Sequence, residues 1–388
     1  MSDSMIAEST ERLFAGEVTR AMLDRFEAGQ FPQALWQQVT AQGLTLALAS
    51  EAAGGIGATW ADAYPILRGV GHWQVPLPLA ETLVAAQLLS LAGLEIPHGP
   101  ITLIEEDTAG QFSASHPSIQ ATAAGLQLSG TAQRVAWAGA CRWALVSLLP
   151  TTAHAAGRIA LVDLQHSASV QITAHRNPAN EPCDTVLLRN APALAHAFNP
   201  LPALQRPLRT LGAIAYSAMM VGAMEWLLAQ SVQYASDRVQ FGKPIGKNQA
   251  IQQQLALLAG EVAAARVAAI VACADAPHAD APHADAPHAG TTDCAATVFS
   301  AAVAKIRCGE AASRAAAIAH QVHGAIGFTF EHQLNFATRR LWAWREAYGG
   351  DGWWAGKLGE AAIQSRSAGF WPSMTSRHFN GLDLRPNT

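Results

Sequence analysis

The chain has 388 residues, half of them apolar and 14% charged, and a formal net charge of −4. That length exceeds one ordinary hydrophobic core, and that composition lies far from the low-hydrophobicity, high-charge region in which chains stay disordered. A weakly acidic chain has no broad positive field to hold nucleic acid or anionic lipid, which excludes both as partners.

The first residues, Met1 to Thr19, place Asp3, Glu8, Glu11, Arg12 and Glu17 among apolar residues, so the apolar core of a secretory signal is missing. Apolar residues at three-to-four spacing over 34–39 and 83–89 predict helices up to about Leu94. Between them, residues 51–57 carry Gly54, Gly55 and Gly57 and read as a loop. Near Pro97 the texture changes. Residues 101–105, 125–129, 143–149, 159–164 and 185–188 are short apolar or alternating runs bounded by turn residues, which predict antiparallel strands.

After Pro207 the helical period returns and runs through Ala-rich stretches to about Ala368. The most apolar of these, such as 214–228, is interrupted by Glu225 and falls short of the roughly 20 residues a membrane span needs. It reads as a buried helix, and no membrane is expected. The expected fold is therefore α+β and mostly α. A helical domain spans residues 1–98, a β domain 99–200, and a four-helix bundle suited to an oligomer interface 201–388.

One low-complexity insert, Asp-Ala-Pro-His-Ala repeated three times over 275–289, interrupts the last helices. Proline at every fifth position forbids a regular helix, so an exposed connector is expected. His278, His283 and His288 could catch a stray metal, but an expanded helix-to-helix loop is the favoured reading. Five cysteines, Cys141, Cys183, Cys273, Cys294 and Cys308, are odd in number and without metal-ligand spacing. They suit a reducing cytoplasm, and no metal site is expected.

Two clusters could carry chemistry. In the stretch 234–249, Gly242, Pro244 and Gly246 break a helical pattern, which sets Arg238 and Phe241 beside a turn and Gln249 at the next helix start. A guanidinium near free amides suits a pyrophosphate, and an aromatic ring can lie against a flat heterocycle; a surface charge and a core plug are the plain alternative. In the stretch 320–328, Gly324 and Gly327 would allow close approach to the main chain, and Gln321 offers a donor and an acceptor. His323 reads as a packed or surface residue rather than a catalyst.

In this order and spacing the two clusters resemble the acyl-CoA dehydrogenase family. The matches are Arg238, Phe241, Gly242, Ile245 and Gln249, then Gln321, Gly324, Gly327 and Phe328, with Ala325 where the family has a second Gly. Leu35-Trp36, Gly43-Leu44, Gly54 to Gly57, Pro76 and Pro78 extend the likeness to the amino terminus. The resemblance implies FAD held between two chains of a dimer or tetramer, an acyl-CoA thioester substrate and an electron-transferring flavoprotein as partner. It implies that Arg238, Phe241, Gln249 and the stretch Gln321, Val322, His323, Gly324 and Ala325 reach the ADP portion of a neighbouring chain's flavin.

The family's other features are missing. The flavin-ring segment, Thr-Glu-Pro-x-x-Gly-Ser-Asp, faces residues 103–113 here, and a second ring segment puts Arg134 at its aromatic position and Ala136 at its Thr. The two positions at which members carry the catalytic Glu hold Gly349 and Gly212, and Glu346 and Asp351 are displaced from the mark. No catalytic residue is therefore assigned, and the resemblance implies a non-catalytic subunit with a homologous catalytic partner. Two other readings stay open: a flavin-dependent monooxygenase of the same fold, and a structural homologue that has lost flavin.

Overall fold

The computed structural model describes residues 3–105, 118–122, 125–149, 157–165, 168–278, 294–379, 382 and 384. Five helices come first: α1 (Asp3–Glu17), α2 (Arg20–Glu27), α3 (Gln33–Ala41), α4 (Trp60–His72) and α5 (Leu79–Leu91). The start of α4 is fixed by a capping box in which Thr59 and Asp62 each accept the other's backbone N–H. Helix α5 has no polar face, and every residue from Leu79 to Leu89 is buried, including Glu81 and Gln87. An apolar helix of that kind is a core element, and it lies against the sheet that follows.

The strands are β1 (Ile101–Glu105), β2 (Ser118–Thr122), β3 (Gly125–Ala136), β4 (Trp143–Leu148), β5 (Arg158–Asp163), β6 (Val170–Thr173) and β7 (Cys183–Phe198). They form one sheet in the order β1-β4-β5-β7-β3-β2, with β6 added on β7. Each of the five predicted runs falls on a strand, with Leu149 and Leu164 one residue past the ends of β4 and β5. The sheet is not wholly antiparallel, however, because β1 pairs parallel to β4. A period of two identifies a strand but not its neighbour, and β1, buried on four successive residues, shows the unbroken apolar run of a parallel strand. Strand β7 is far longer than 185–188 because its first half pairs with β3 and β6 and its second half with β5.

The carboxyl-terminal helices are α6 (Pro207–Asp237), α7 (Gln249–Ala274), α8 (Cys294–His323), α9 (Leu334–Glu346) and α10 (Asp351–Ser376), with a small hairpin of β8 (Val239–Gln240) and β9 (Lys243–Pro244) after α6. Helix α6 is central and crosses α4 at bare backbone: a Cβ on Gly71 would lie 1.8 Å from the Met219 carbonyl oxygen, and one on Gly222 1.9 Å from that of Arg68. The two glycines seat the amino-terminal helices on the bundle.

Two expectations are corrected here. Helices α6 and α7 are each long and apolar enough, by length and composition, to cross a membrane. For α6 89% of the apolar window is buried, as in a core helix, whereas for α7 the share is 28%. The start of the repeat is also no plain connector. Asp275 accepts the Ser300 hydroxyl at 2.6 Å and pairs with Arg377 at 2.9 Å, and the buried Pro277 carbonyl accepts from Gln87 at 2.6 Å. His283 and His288 lie outside the described residues.

Candidate functional site

A cavity of about 710 Å³ opens between the sheet, α6 and the turn joining α9 to α10. Its walls come from the end of β1, the second half of β3, the stretch leading into β7, and residues 342–349. Three carboxylates line it. Glu105 sits at the start of α6, where it accepts the Leu208 and Arg209 N–H groups at 3.0 and 3.3 Å and faces Arg206 and Arg209 at 3.9 and 3.8 Å. A carboxylate there complements the helix dipole. Burial raises its pKa, and the two arginines oppose that.

Glu181 is likewise occupied: Arg340 stands 3.2 Å away, and Trp344 and Asn177 each donate to it at 3.1 Å. Burial raises this carboxyl too, with Arg340 pulling it down. Glu346 is mostly exposed and meets Arg345 only at 3.8 Å. Asp351 does not line the cavity, because Arg345 holds it at 2.7 Å at the start of α10.

None of the eight residues expected at a flavin borders this cavity. They gather elsewhere, at the far end of α6. There Tyr234 stacks on His323 with ring centroids 4.5 Å apart, which joins the end of α8 to the end of α6. Arg238 caps α6, and Ile245 donates to its carbonyl at 2.8 Å. Phe241, at φ 51 on the hairpin turn, is fully exposed. Asn248 caps α7 by accepting the Ala250 N–H at 3.1 Å, which leaves Gln249 exposed at the helix start.

Gln321, Gly324 and Ala325 are exposed as well, and at Gly324 an added Cβ would meet nothing within 4 Å. Val322 and His323 differ: their side chains are buried, and His323 Nδ1 bonds the Ala319 carbonyl at 2.8 Å. Gly327 also departs from expectation, since a Cβ there would strike Leu334 at 2.8 Å, so it serves packing rather than ligand approach.

The description "Acyl-CoA dehydrogenase, N-terminal domain" matches residues 2–95 and "Acyl-CoA dehydrogenase, C-terminal domain" matches residues 209–351, together more than half of the chain. The chain belongs to the acyl-CoA dehydrogenase family. It is 28% identical over 313 residues, 80% of each chain, to acyl-CoA dehydrogenase IpdE2 of Mycobacterium tuberculosis. In fold it resembles a chain of the ChsE4-ChsE5 complex from Mycobacterium tuberculosis, with a TM-score of 0.77 at 21% identity, covering 94% of this chain and 98% of that one. It also resembles a chain of the Tcur3481-Tcur3483 steroid ACAD, with a TM-score of 0.78 at 23% identity and the same coverage.

The resemblance puts the family's catalytic Glu at Gly212 and Gly349. At Gly212 a Cβ would fall 2.5 Å from the ring of Tyr348, so that ring occupies the space. At Gly349, with φ +92, a Cβ would come 2.9 Å from the Trp354 indole nitrogen and 3.0 Å from the Trp353 ring. Neither position admits a carboxylate without moving an aromatic ring. The FAD of the family fits this chain by halves. The exposed Arg238, Phe241, Gln249, Gln321 and Gly324 leave room for an adenosine diphosphate group against them. Along β3 the residues present do not fit it: the resemblance puts Arg134 at the family's aromatic position, the Ala136 carbonyl accepts the Thr102 hydroxyl at 2.5 Å, and Trp137 is buried on Phe26.

Glu81 escaped the sequence reading. It lies on α5, is 1% exposed, and accepts the Tyr216 hydroxyl at 2.5 Å behind the cavity wall. A lone acid inside the apolar run of α5 was the available signal.

Proposed function

We propose that this chain is a supporting subunit of a hetero-oligomeric acyl-CoA dehydrogenase, which lends half of an FAD site to a homologous catalytic chain and does not itself remove the substrate's α proton. The observation that carries the reading is the pair of glycines, Gly212 and Gly349, each closed by an aromatic ring. In this reading Arg238, Gln249 and Gln321 hold the ADP portion of the partner's FAD, Phe241 packs beside it, and Gly324 and Ala325 let it approach. Val322 and His323 support them from behind. FAD, when bound, accepts the hydride that leaves the substrate. The residues of this chain bind and orient; they hold no proton acceptor at the reacting carbon.

Two observations support a partner chain. Arg238, Phe241, Gln249, Gln321, Gly324 and Ala325 are exposed, and α7 leaves Leu257, Val267 and Ile270 in solvent. The likeness to the steroid pair favours a bulky acyl-CoA thioester, with an electron-transferring flavoprotein as acceptor. We place the domains at 1–98, 99–200 and 201–388 and the assembly, a dimer or tetramer, in the cytoplasm.

The test is a visible spectrum and a turnover assay of the purified chain, alone and co-expressed with a homologue that carries the Glu and the Thr-Glu-Pro-type segment. The expected result is a colourless, inactive chain alone and a yellow, active complex with fewer flavins than subunits. Robust dehydrogenation by this chain alone would overturn the proposal.

A further inference from the structure

Three histidines adjoin Gln321, Gly324 and Ala325: His320 and His323 at the end of α8, and His332 in the stretch that leads to α9. His323 stacks on Tyr234 and meets the His332 ring edge to face with centroids 4.9 Å apart, while His320 stacks on Phe328 at 4.2 Å. The rings do not converge on a metal, since among the described residues no three His, Cys, Asp or Glu side chains are placed to hold one. They tie together the end of α6, the end of α8 and the stretch 324–333 instead.

Hydrogen bonds select the neutral rings. His323 Nδ1 donates to the Ala319 carbonyl at 2.8 Å and its buried Nε2 has no partner, so a proton on Nε2 would be an N–H without an acceptor. His332 Nδ1 accepts the Leu334 N–H at 3.1 Å at the start of α9, and a proton there would set two donors against each other. The same stretch is held by Asn335, which donates to the Thr329 and His332 carbonyls at 2.8 and 2.7 Å, and by Arg20 of α2, which donates to those of Phe330 and Glu331. The titratable groups facing His323 are His332 and His320, and the charge facing His332 is Arg20, so each discourages a further proton. The acids nearby on these elements do not offset this: Asp24 pairs with Arg20 at 2.8 Å and Glu27 with Arg339 at 2.6 Å, while Glu331 and, beside Arg238 at the end of α6, Asp237 are exposed. Burial lowers the pKa of all three imidazoles from the ordinary 6.5.

We infer that His323 and His332 are positioning residues that hold the stretch 324–333 against the end of α6 while both rings are neutral, and so make its presentation of Gly324 and Ala325 to FAD sensitive to mild acid. The inference rests on the reading of these residues as half of an FAD site. The held stretch binds fewer protons than the released one, so the arrangement is complete above the ordinary histidine value of 6.5 and is lost as pH falls below it. Both imidazoles act through the backbone they fix, not by touching the cofactor.

Two readouts test it, one on the full chain and one on its complex with a homologous catalytic chain. Amide protection over residues 324–334, corrected for the intrinsic effect of pH on exchange, should fall about tenfold between about pH 7.5 and pH 5.5, with no fall in β4. His323→Phe combined with His332→Asn keeps a ring on Tyr234 and an acceptor for the Leu334 N–H but cannot titrate, so its protection should change less than about twofold over that range. His332→Asn alone, at a partly buried position, serves should the double variant not fold, and should limit the fall to about threefold. In the complex, FAD should dissociate about tenfold faster at the lower pH, and the double variant should shrink that ratio several-fold. Protection that does not fall in the wild type, or that falls equally in the variants, would overturn the inference, as would equal FAD ratios in wild type and variant. If no complex retains FAD at any pH, the FAD reading fails, and exchange alone decides whether the two histidines hold the stretch.

Discussion

Tyr348 does at one residue what two missing carboxylates undo: its ring fills position 212 and its backbone leads into Gly349. Gly212→Ala should therefore destabilise the protein by about 1–3 kcal/mol through overpacking, read as a lower urea midpoint with an unchanged slope. Gly349→Glu should lower stability further, because the φ of +92 adds backbone strain to the clash, and should confer no dehydrogenation. Glu81 gives a pH test. Burial raises its pKa from the ordinary 4.5 to about 7, against the hydrogen bonds that lower it. Between those values the folded chain keeps a proton that the unfolded chain has released, so stability is greatest below the window and is lost as pH rises through it. The loss is on the order of 3 kcal/mol, and Glu81→Gln should flatten the dependence measured between pH 5 and pH 8. None of this could be read from the sequence. Gly212, Gly349 and Glu81 are visible there, but which ring fills which glycine depends on contacts between α5, α6 and the α9–α10 turn.

At the level of elements, periodicity carried most of the fold. Helices, strands and their order follow from spacing, because burial of one face imposes a period. Partners do not follow from spacing, so the parallel β1–β4 pair, the length of β7 and the short β2 and β6 were illegible. The repeat shows a further limit: proline excludes a helix but does not say where the chain leaves the surface. Deleting residues 279–289 should leave the melting temperature nearly unchanged, since loop length enters stability only logarithmically. A deletion that begins at Asp275 should cost about 1–3 kcal/mol more, because it strips partners from Ser300, Arg377 and Gln87. Lys305 is a comparable anchor. Buried in α8, it donates to the Trp344 and Arg345 carbonyls at the end of α9, at 2.8 and 2.7 Å, and burial lowers its pKa from 10.5 to about 7. Lys305→Met should loosen the α9–α10 turn that carries Tyr348, measurable as faster amide exchange over residues 345–350.

For the whole molecule, the proposed role makes the ADP-side residues and α7 one outward-facing surface. Arg238→Ala should weaken FAD retention by the assembled complex by roughly 1.5–3 kcal/mol, the value of a charge-assisted hydrogen bond; equal flavin content and affinity would leave Arg238 a surface charge. Val267→Asp should split the assembly, measured as mass by light scattering, because an unpaired carboxylate in an apolar contact costs several kcal/mol. The motifs that suggest this surface were legible from residue types and spacing, while the outward turn of Phe241 and the inward turn of Val322 and His323 were not. The bare face of α7 has one more consequence, for how the protein must be made. A copy without its partner keeps Leu257, Val267 and Ile270 in water, where such patches adhere to one another. Yield of soluble chain should then track the ratio at which the two chains are synthesised, and surplus copies should go to inclusion bodies or to proteases.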